Sequence, residues 1–298
     1  LLPTAMKRIA LFDAPWYMHR AFHVFAMPAI KHALRTNTAP DWHGLLVHNV
    51  IGWICKDALR LQAKHLCAFV DGGESFRYEI YPEYKEGRGF QELPDEADPA
   101  DSPSPYDALP VFFKAMKNYG LPYCQLDRYE SDDLFASFIK HYPLEEKDRV
   151  YVVTQDKDMY QLISDQVCVY TPGTKKRQEL MVTPKNIGTY RHGLTPSKFL
   201  DLQTLMGDAV DKIPGVLTKS KALAIVCDPS YTNMKAWFQT PEGRKLLAAK
   251  PHELVRNRLL VKLNRRAFKE FLPDIVPTFP KNAASLPAPT AYKNFVSF

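Results

Sequence analysis

The chain has 298 residues, of which 46% are hydrophobic, which is enough for a large buried core and excludes a wholly disordered protein. No apolar run approaches the roughly 18 residues that a membrane-spanning helix needs, so a membrane protein is not expected. The net charge is +6, and the five cysteines, odd in number and without a CxxC pair, indicate buried free thiols and disfavour a zinc site.

Three short apolar runs each end in a carboxylate and are predicted to be buried parallel strands. They are Arg8–Asp13, His65–Asp71 and Arg149–Asp156, with a further short strand at Val167–Tyr170. Helical segments fit between them at about 43–63, 106–119 and 131–141. This alternation predicts an α/β fold with a mostly parallel central sheet and helices on both faces.

Two stretches differ from that pattern. Residues 86–110 contain seven acidic residues and five prolines against the single Arg88, which predicts a flexible acidic loop outside the core. From about residue 196 onward, Pro, Lys and Arg between apolar clusters predict short basic helices. We therefore expect an α/β domain over residues 1–195 and a helical region over residues 196–298.

Charge is distributed unevenly along the chain. Residues 1–170 carry 18 Lys and Arg against 24 Asp and Glu, whereas residues 171–298 carry 21 against 9. Such an asymmetry is typical of a protein that grips a polyanion with one part and processes it with cations held in the other. A merely soluble surface is the alternative on charge alone.

Carboxylates gather where a ligand of an open α/β sheet would bind, beyond the carboxyl ends of the strands. Asp13, Asp71 and Asp156 each follow a predicted strand. The same neighbourhood is expected to receive further acidic residues from the segments "YESDDLFASF", "TQDKDMYQL" and "MGDAVDKIPG": Glu130, Asp132, Asp133, Asp158, Asp208 and Asp211. Any one of them alone is more often a turn former or a helix cap.

Nine carboxylates in one pocket cannot all stay ionised without cations, because like charges at a few ångströms repel strongly. Oxygen ligands without His or Cys favour Mg²⁺, with Mn²⁺ as a substitute, over Zn²⁺. Two such ions would hold a phosphate, activate a water and stabilise a leaving oxygen. His19 and His23, four residues apart, are far more often ordinary surface or core histidines than metal ligands.

The segment "SFRYEIYPEYKEGR" follows Asp71 closely and holds Arg77, Lys85 and Arg88. Basic groups beside a metal-bound phosphate neutralise the charge that develops on it. A solvated loop explains the same residues equally well.

Taken together, these segments resemble the bacterial and phage 5′-nucleases, which include the 5′-nuclease domain of DNA polymerase I, phage flap endonucleases and phage ribonuclease H. The motifs that carry the resemblance are "FDAPWYMHRAF", "FVDGGESFRYEIYPEYKEGR", "YESDDLFASF", "VVTQDKDMYQLISDQVCVY" and "MGDAVDKIPGV". Their order and spacing are similar to the family's over about residues 8–216, whereas residues 217–298 match only loosely.

The resemblance implies a role for each acidic residue. One metal and its water shell would be served by Asp13, Asp71, Glu130, Asp132 and Asp133. A second would be served by Asp156, Asp158, Asp208 and Asp211. Asp71 and Asp156 would thus be catalytic, and the implied ions are two or more Mg²⁺.

The resemblance also implies a set of DNA-binding residues. Lys85 and Arg88 would be catalytic as well, contacting the scissile phosphate at the base of the family's arch. Arg20 would support the substrate, and Tyr84 would stack on a terminal base unless it only packs. The remaining members of this set are Arg77, Lys219 and Lys221.

Two features depart from the family's pattern. The family's "GVxGIG" hairpin corresponds here to Ile213–Lys221, which lacks the second and third glycines, so we expect a shortened or altered hairpin in a helix-hairpin-helix-like C-terminal region. Lys219 and Lys221 would replace its backbone contacts with side-chain charge. The arch corresponds to residues 86–110, which we expect to be a mobile loop instead of a basic helical arch.

The expected function is metal-dependent hydrolysis of phosphodiesters near the 5′ ends of flap, branched or duplex DNA, with RNA:DNA hybrids as a further substrate, in replication and repair. A non-catalytic branched-DNA binding protein and a PIN-type ribonuclease are the alternatives. The implied location is the cytoplasm of a bacterium or a phage-infected cell. A single-strand binding protein or a clamp is a further partner that the sequence leaves open. Binding to a membrane is not expected.

Overall fold

The computed structural model describes residues 6–38, 41–87, 103–174, 176–190 and 193–268. At its centre lies a six-stranded sheet with the strand order β3-β2-β1-β4-β5-β6. The strands are β1 (Arg8–Asp13), β2 (His65–Val70), β3 (Tyr123–Gln125), β4 (Arg149–Val153), β5 (Val167–Thr171) and β6 (Leu180–Val182). All neighbouring strands are parallel except β5 and β6, which are antiparallel.

The inner strands are buried on both faces, as their continuous apolar runs predict. Because successive side chains of a strand point to opposite faces, Ala10 and Phe12 of β1 enter one core, and Ile9 and Leu11 enter the other. All four side chains are inaccessible to solvent. The prediction of a mostly parallel sheet flanked by helices is confirmed.

Helices surround this sheet and continue beyond it. They are α1 (Ala14–Ala21), α2 (Met27–Thr36), α3 (Trp42–Arg60), α4 (Arg77–Ile80), α5 (Leu109–Asn118), α6 (Ser131–His141), α7 (Ile187–Tyr190), α8 (Pro196–Met206), α9 (Lys219–Val226), α10 (Met234–Trp237), α11 (Pro241–Ala249) and α12 (Pro251–Val261). A π-helical turn, Phe22–Ala26, joins α1 to α2. None of the helices in the described ranges is long and apolar enough to cross a bilayer.

The predicted flexible loop 86–110 needs a correction at its carboxyl end. Pro105–Ala108 form a 3-10 turn that leads into α5, because Ser104 and Asp107 form a reciprocal capping box and a proline occupies the first turn. Ala108 is fully buried. The rest of the predicted loop, residues 88–102, lies outside the described residues, so its predicted mobility stays a prediction.

The segment between α8 and α9 forms a compact hairpin. Asp208 and Ile213 pair through two backbone hydrogen bonds of 2.9 and 2.8 Å. The buried Asn257 of α12 fastens the hairpin by donating to the Pro214 carbonyl at 2.7 Å and to the Thr204 carbonyl at 3.3 Å. This hairpin carries two of the predicted site residues, Asp208 and Asp211.

Gly207 turns the chain from α8 into this hairpin with φ +68°, and a Cβ atom there would lie 2.2 Å from the Ile213 carbonyl oxygen. We expect Gly207→Ala to destabilise the protein by more than about 1 kcal/mol, because backbone and not a flexible side chain blocks the methyl group. Chemical denaturation measures this. Gly52→Ala is the control: Gly52 lies within α3 with open space around it, and the variant is expected to gain about 0.5–1 kcal/mol.

Candidate active site

A cavity of about 460 Å³ opens at the carboxyl edge of the sheet, where β1, β2 and β4 end. Five carboxylates line it, and we call this cavity the acidic pocket: Asp13, Asp71, Glu130, Asp132 and Asp156. Asp13, Asp71 and Asp156 arrive from the three strands, whereas Glu130 and Asp132 come from the start of α6. The expected gathering of carboxylates at this edge of the sheet therefore occurs for five of the nine predicted residues, three of which follow strands.

Hydrogen bonds fix the orientation of two of these carboxylates. Asp13 caps α1 by accepting from the Trp16 amide at 3.1 Å, and its other oxygen accepts from the Thr154 hydroxyl at 2.5 Å. Asp71 accepts from the Ser131 amide at 2.8 Å and from the Tyr106 hydroxyl at 3.2 Å. Both carboxylates are thus held in place by partners on neighbouring elements.

Burial and neighbouring negative charges raise the pKa values of two carboxyl groups in the pocket. Burial, together with the charges of Asp71 and Asp156, raises the pKa of Asp13 to about 7. Burial and the charges of Asp156 and Asp13 raise the pKa of Asp132 well above its ordinary value. A site that opposes its own ionisation in this way is suited to cations.

Three further predicted residues adjoin the pocket at Asp156. Burial and the charges of Asp156, Asp208 and Asp211 raise the pKa of Asp158 to about 8. Asp158 accepts a 2.6 Å hydrogen bond from Gln203 of α8, and Asp208 accepts from two amides of its own hairpin turn. Eight of the nine predicted carboxylates therefore belong to one electrostatic cluster.

Lys85 places an ammonium group against this cluster. Its Nζ lies 2.8 Å from Oε2 of Glu130. Burial lowers the pKa of Lys85, but the charges of Glu130, Asp211 and Asp132 together outweigh burial, so that the pKa is raised. The pKa of Glu130 is lowered, because Lys85 and Arg77 outweigh the opposite effect of burial. The Lys85 backbone has φ +55°, and its amide donates to the Asp211 carbonyl at 2.9 Å. Lys85 thus lies on the wall of the acidic pocket.

Tyr84 does not lie where the sequence predicted. Its side chain is 2% exposed, and its hydroxyl is shared between Glu130 at 3.2 Å and Asp211 at 3.3 Å. A ring this buried cannot stack on a nucleic-acid base. The expected stacking is therefore wrong, and Tyr84 instead connects two acidic residues of the cluster.

Arg77 and Asp133 also require a correction. Arg77 is 2% exposed and binds both carboxylate oxygens of Asp133, at 2.6 and 2.8 Å, while its Nε donates to the Leu260 carbonyl at 2.9 Å. Asp133 is fully buried and additionally accepts from the Asn264 amide. Because these buried groups already satisfy one another behind Glu130, which Arg77 approaches to 3.9 Å, Arg77 is not placed to bind DNA, nor Asp133 to bind a metal.

The remaining predicted basic residues lie as follows. Arg20, on α1, is half-buried; its guanidinium lies 4.3 Å from the Trp53 ring centroid and donates to the Gly173 carbonyl. Lys219 and Lys221 are exposed in the first turn of α9, next to the hairpin. Arg88 lies outside the described residues, so its role stays a prediction.

The acidic pocket does not enclose a ready-made metal site. Within the described ranges, no three His, Cys, Asp or Glu side chains come close enough together to hold an ion as they stand. The donor set itself, oxygen atoms alone, fits a hard divalent cation.

Several neighbours of these carboxylates were not predicted as site residues. Tyr106 and His19 line the pocket, Thr154 holds Asp13, and Gln203 holds Asp158. Of these, only Tyr106 carried a local signal, because the capping-box spacing of Ser104 and Asp107 marks the start of an ordered helical turn.

Comparison with known proteins identifies the family. Residues 8–190 match the family described as 5′-3′ exonuclease, N-terminal resolvase-like domain. The chain belongs to this family. It is 27% identical over 243 residues to the 5′-3′ exonuclease of Buchnera aphidicola, which covers 80% of this chain and 76% of that protein. It is 30% identical over 250 residues to DNA polymerase I of Bacillus subtilis, covering 82% of this chain and 26% of the polymerase.

Solved structures agree on the fold. Zinc-bound 5′-exonuclease of phage T5 superposes with a TM-score of 0.66 at 20% identity, covering 97% of each chain. The T5 flap endonuclease in a pseudo-enzyme-product complex with DNA and metal ions superposes with a TM-score of 0.61 at 19% identity, covering 97% of this chain and 98% of that one. The predictions of the 5′-nuclease family, its fold and an enzyme of this class are confirmed, whereas this chain spans only about a quarter of the polymerase relatives.

The raised pKa values make a prediction about the metal-free protein. A carboxyl group with a folded-state pKa above its unfolded value stabilises the fold while protonated, and this contribution is lost as the pH rises through the folded value. The stabilisation by protonated Asp13 is lost as the pH rises from the ordinary pKa of 3.8 to the folded-state pKa of about 7. For Asp158 the loss extends from 3.8 to about 8. We expect the melting temperature in chelator to fall between about pH 4 and pH 8 and to level off above that, and Asp158→Asn to flatten this fall. Equal slopes for variant and wild type would contradict the assignment.

Proposed function

We propose that this chain is a divalent-metal-dependent 5′-nuclease that hydrolyses phosphodiester bonds near the 5′ ends of flap, branched or duplex DNA during replication or repair. The observation that carries the proposal is the acidic pocket with Lys85 on its wall, in a chain of the 5′-3′ exonuclease family. One T5 neighbour holds zinc and another is a complex with DNA and metal ions, which supports the same chemistry.

The residues present fit two groups of metal ligands. Asp13, Asp71, Glu130, Asp132 and Asp156 would hold one ion with its water shell, and Asp158, Asp208 and Asp211 would serve a second beside Asp156. We propose Mg²⁺ as the natural ion and Mn²⁺ as a substitute, since all donors are oxygen atoms. When bound, such ions supply a nucleophilic water and neutralise charge on the phosphate and the leaving oxygen.

Lys85 is the positively charged side chain that we propose to act on the scissile phosphate. Its ammonium neutralises Glu130 in the metal-free structure at 2.8 Å and is about one-fifth exposed toward the pocket. With Glu130 among the residues that would hold a cation, Lys85 would contact a non-bridging oxygen of the scissile phosphate and would stabilise the negative charge that develops there. Arg88 is proposed for the same phosphate.

Basic side chains outside the acidic pocket are proposed to bind the DNA backbone. Lys219 and Lys221 are exposed at the amino end of α9, where the helix dipole also favours a phosphate. Arg20 borders the pocket through its contact with Trp16. These contacts read the backbone and not the bases, so binding is expected to be independent of sequence and sensitive to salt.

The test is cleavage of a 5′-labelled flap DNA by the wild-type chain with Mg²⁺, with Mn²⁺ and with chelator. We expect short 5′ products with either ion and none with chelator. A matched flap carrying an RNA 5′ strand tests the RNA:DNA hybrid as a further substrate. Tight binding of the flap without cleavage would overturn the proposal in favour of a non-catalytic junction binder. Cleavage of single-stranded RNA alone would instead favour a PIN-type ribonuclease.

A further inference from the structure

Tyr106 and His19 form a pair beside the acidic pocket that the predicted catalytic set does not include. The Tyr106 hydroxyl donates to Oδ2 of Asp71 at 3.2 Å, and Nε2 of His19 lies 3.4 Å from the same hydroxyl. The two rings meet edge to face, with centroids 5.4 Å apart at 82°. Asp71, Tyr106 and His19 also line an adjoining cavity of about 530 Å³, so the pair stands on the wall between two cavities.

The direction of the two hydrogen bonds of Tyr106 follows from the number of protons available. A phenol has a single proton, and here it is donated to Asp71, so the phenol oxygen can only accept from His19. His19 must therefore carry a proton on Nε2. The three side chains form a directed row from His19 through Tyr106 to Asp71.

Tyr106 is held independently of this row. Its amide donates to the Ser104 hydroxyl at 3.2 Å within the capping box, and Ala108 in the same turn is fully buried. Asp71 is fixed on its other oxygen by the Ser131 amide at 2.8 Å. With one oxygen bound to α6 and the other to the turn before α5, the Asp71 carboxylate is left with a defined orientation toward the pocket.

From this geometry we infer that Tyr106 is a positioning residue for Asp71, and that His19 positions Tyr106. The inference rests on the proposed function in that Asp71 is taken as a ligand of the divalent cation. Groups that orient a metal-ligating carboxylate commonly change metal affinity or activity by about 10–100-fold. Because 3.2 and 3.4 Å are long hydrogen bonds, the effect is expected near the lower end.

The decisive variant is Tyr106→Phe, which removes the hydroxyl and keeps the ring. Mn²⁺ binding is measured directly by electron paramagnetic resonance of the free ion, alongside flap cleavage and melting in chelator. We expect Mn²⁺ affinity and kcat each to fall by about tenfold, with KM for the flap within about twofold and the melting temperature unchanged. Tyr123→Phe is the matched control: this tyrosine is exposed, stacks on Phe113 outside the pocket, and is expected to behave as wild type.

A second variant tests the direction of the row. His19→Gln can still donate a proton to the phenol and should retain most of the affinity, whereas His19→Ala should lose about as much as Tyr106→Phe. Wild-type Mn²⁺ affinity in Tyr106→Phe would overturn the inference. A wild-type chain that binds Mn²⁺ but cuts no flap would overturn the proposed function and leave the Mn²⁺ comparison to decide on Tyr106.

Discussion

Replacing Asp156 with asparagine is expected to lower flap cleavage by about 10³-fold, or about 4 kcal/mol of transition-state stabilisation, while raising the melting temperature of the metal-free protein. The two effects have one cause. The Asp156 charge contributes to the raised pKa of Asp13, Asp132 and Asp158. Asp156 is proposed to serve both metal groups, and its charge is the one that acts on all three of these carboxyl groups.

The amide keeps the size of the carboxylate but removes its charge. Metal affinity then falls, because an amide oxygen is a weaker ligand for a hard cation than a carboxylate. Relief of repulsion is expected to raise the melting temperature in chelator by about 2–4 °C, which corresponds to about 1 kcal/mol in a protein of this size. A functional site that is strained in the absence of its ligand commonly shows this exchange of stability for activity.

Two measurements on the same preparation check this prediction: cleavage of the labelled flap with Mg²⁺, and thermal melting in chelator. Asp165→Asn is the matched control, since Asp165 is an exposed carboxylate at the amino end of β5, the opposite edge of the sheet from the pocket. It should change neither quantity. Loss of cleavage accompanied by a lower melting temperature would show that Asp156 is structural instead.

The parts of the site that the sequence predicted correctly depend on local rules. A buried apolar run ending in a carboxylate identified β1, β2 and β4, and parallel strands necessarily present their carboxyl ends at one edge. The antiparallel strand β6 was missed because its three residues are too short for a periodic signal. Tyr106 was missed because proline and acidic residues dominate its surroundings.

Asp132 and Asp133 are two residues that local sequence rules cannot distinguish. Both stand in the first turn of α6, where negative charge is favourable, so the sequence treats them alike. Neighbouring residues of a helix point about 100° apart. Asp132 consequently lines the pocket, while Asp133 faces inward to Arg77 and Asn264, which approach from distant parts of the chain. Only the packing of α4 and the segment after α12 decides between them.

That packing leads to the second large effect, a loss of stability by about 3–5 kcal/mol in Arg77→Met. Methionine fills a similar volume but leaves the fully buried Asp133 carboxylate with the Asn264 amide as its remaining hydrogen-bond donor, and it removes the donor to the Leu260 carbonyl. Because Leu260 and Asn264 belong to the end of the helical region, the variant should also loosen that region from the sheet. A fall in melting temperature of roughly 10 °C is expected.

Arg128→Met is the matched control for Arg77→Met, since Arg128 pairs with Glu79 at a similar 2.7 Å but with side chains 60% and 68% exposed. It should cost less than about 1 kcal/mol. The double variant Arg77→Met/Asp133→Leu should recover much of the lost stability, because an apolar pair replaces an uncompensated buried charge. If Arg77→Met melted as wild type but bound flap DNA weakly, Arg77 would contact the substrate and its burial would not describe the working enzyme.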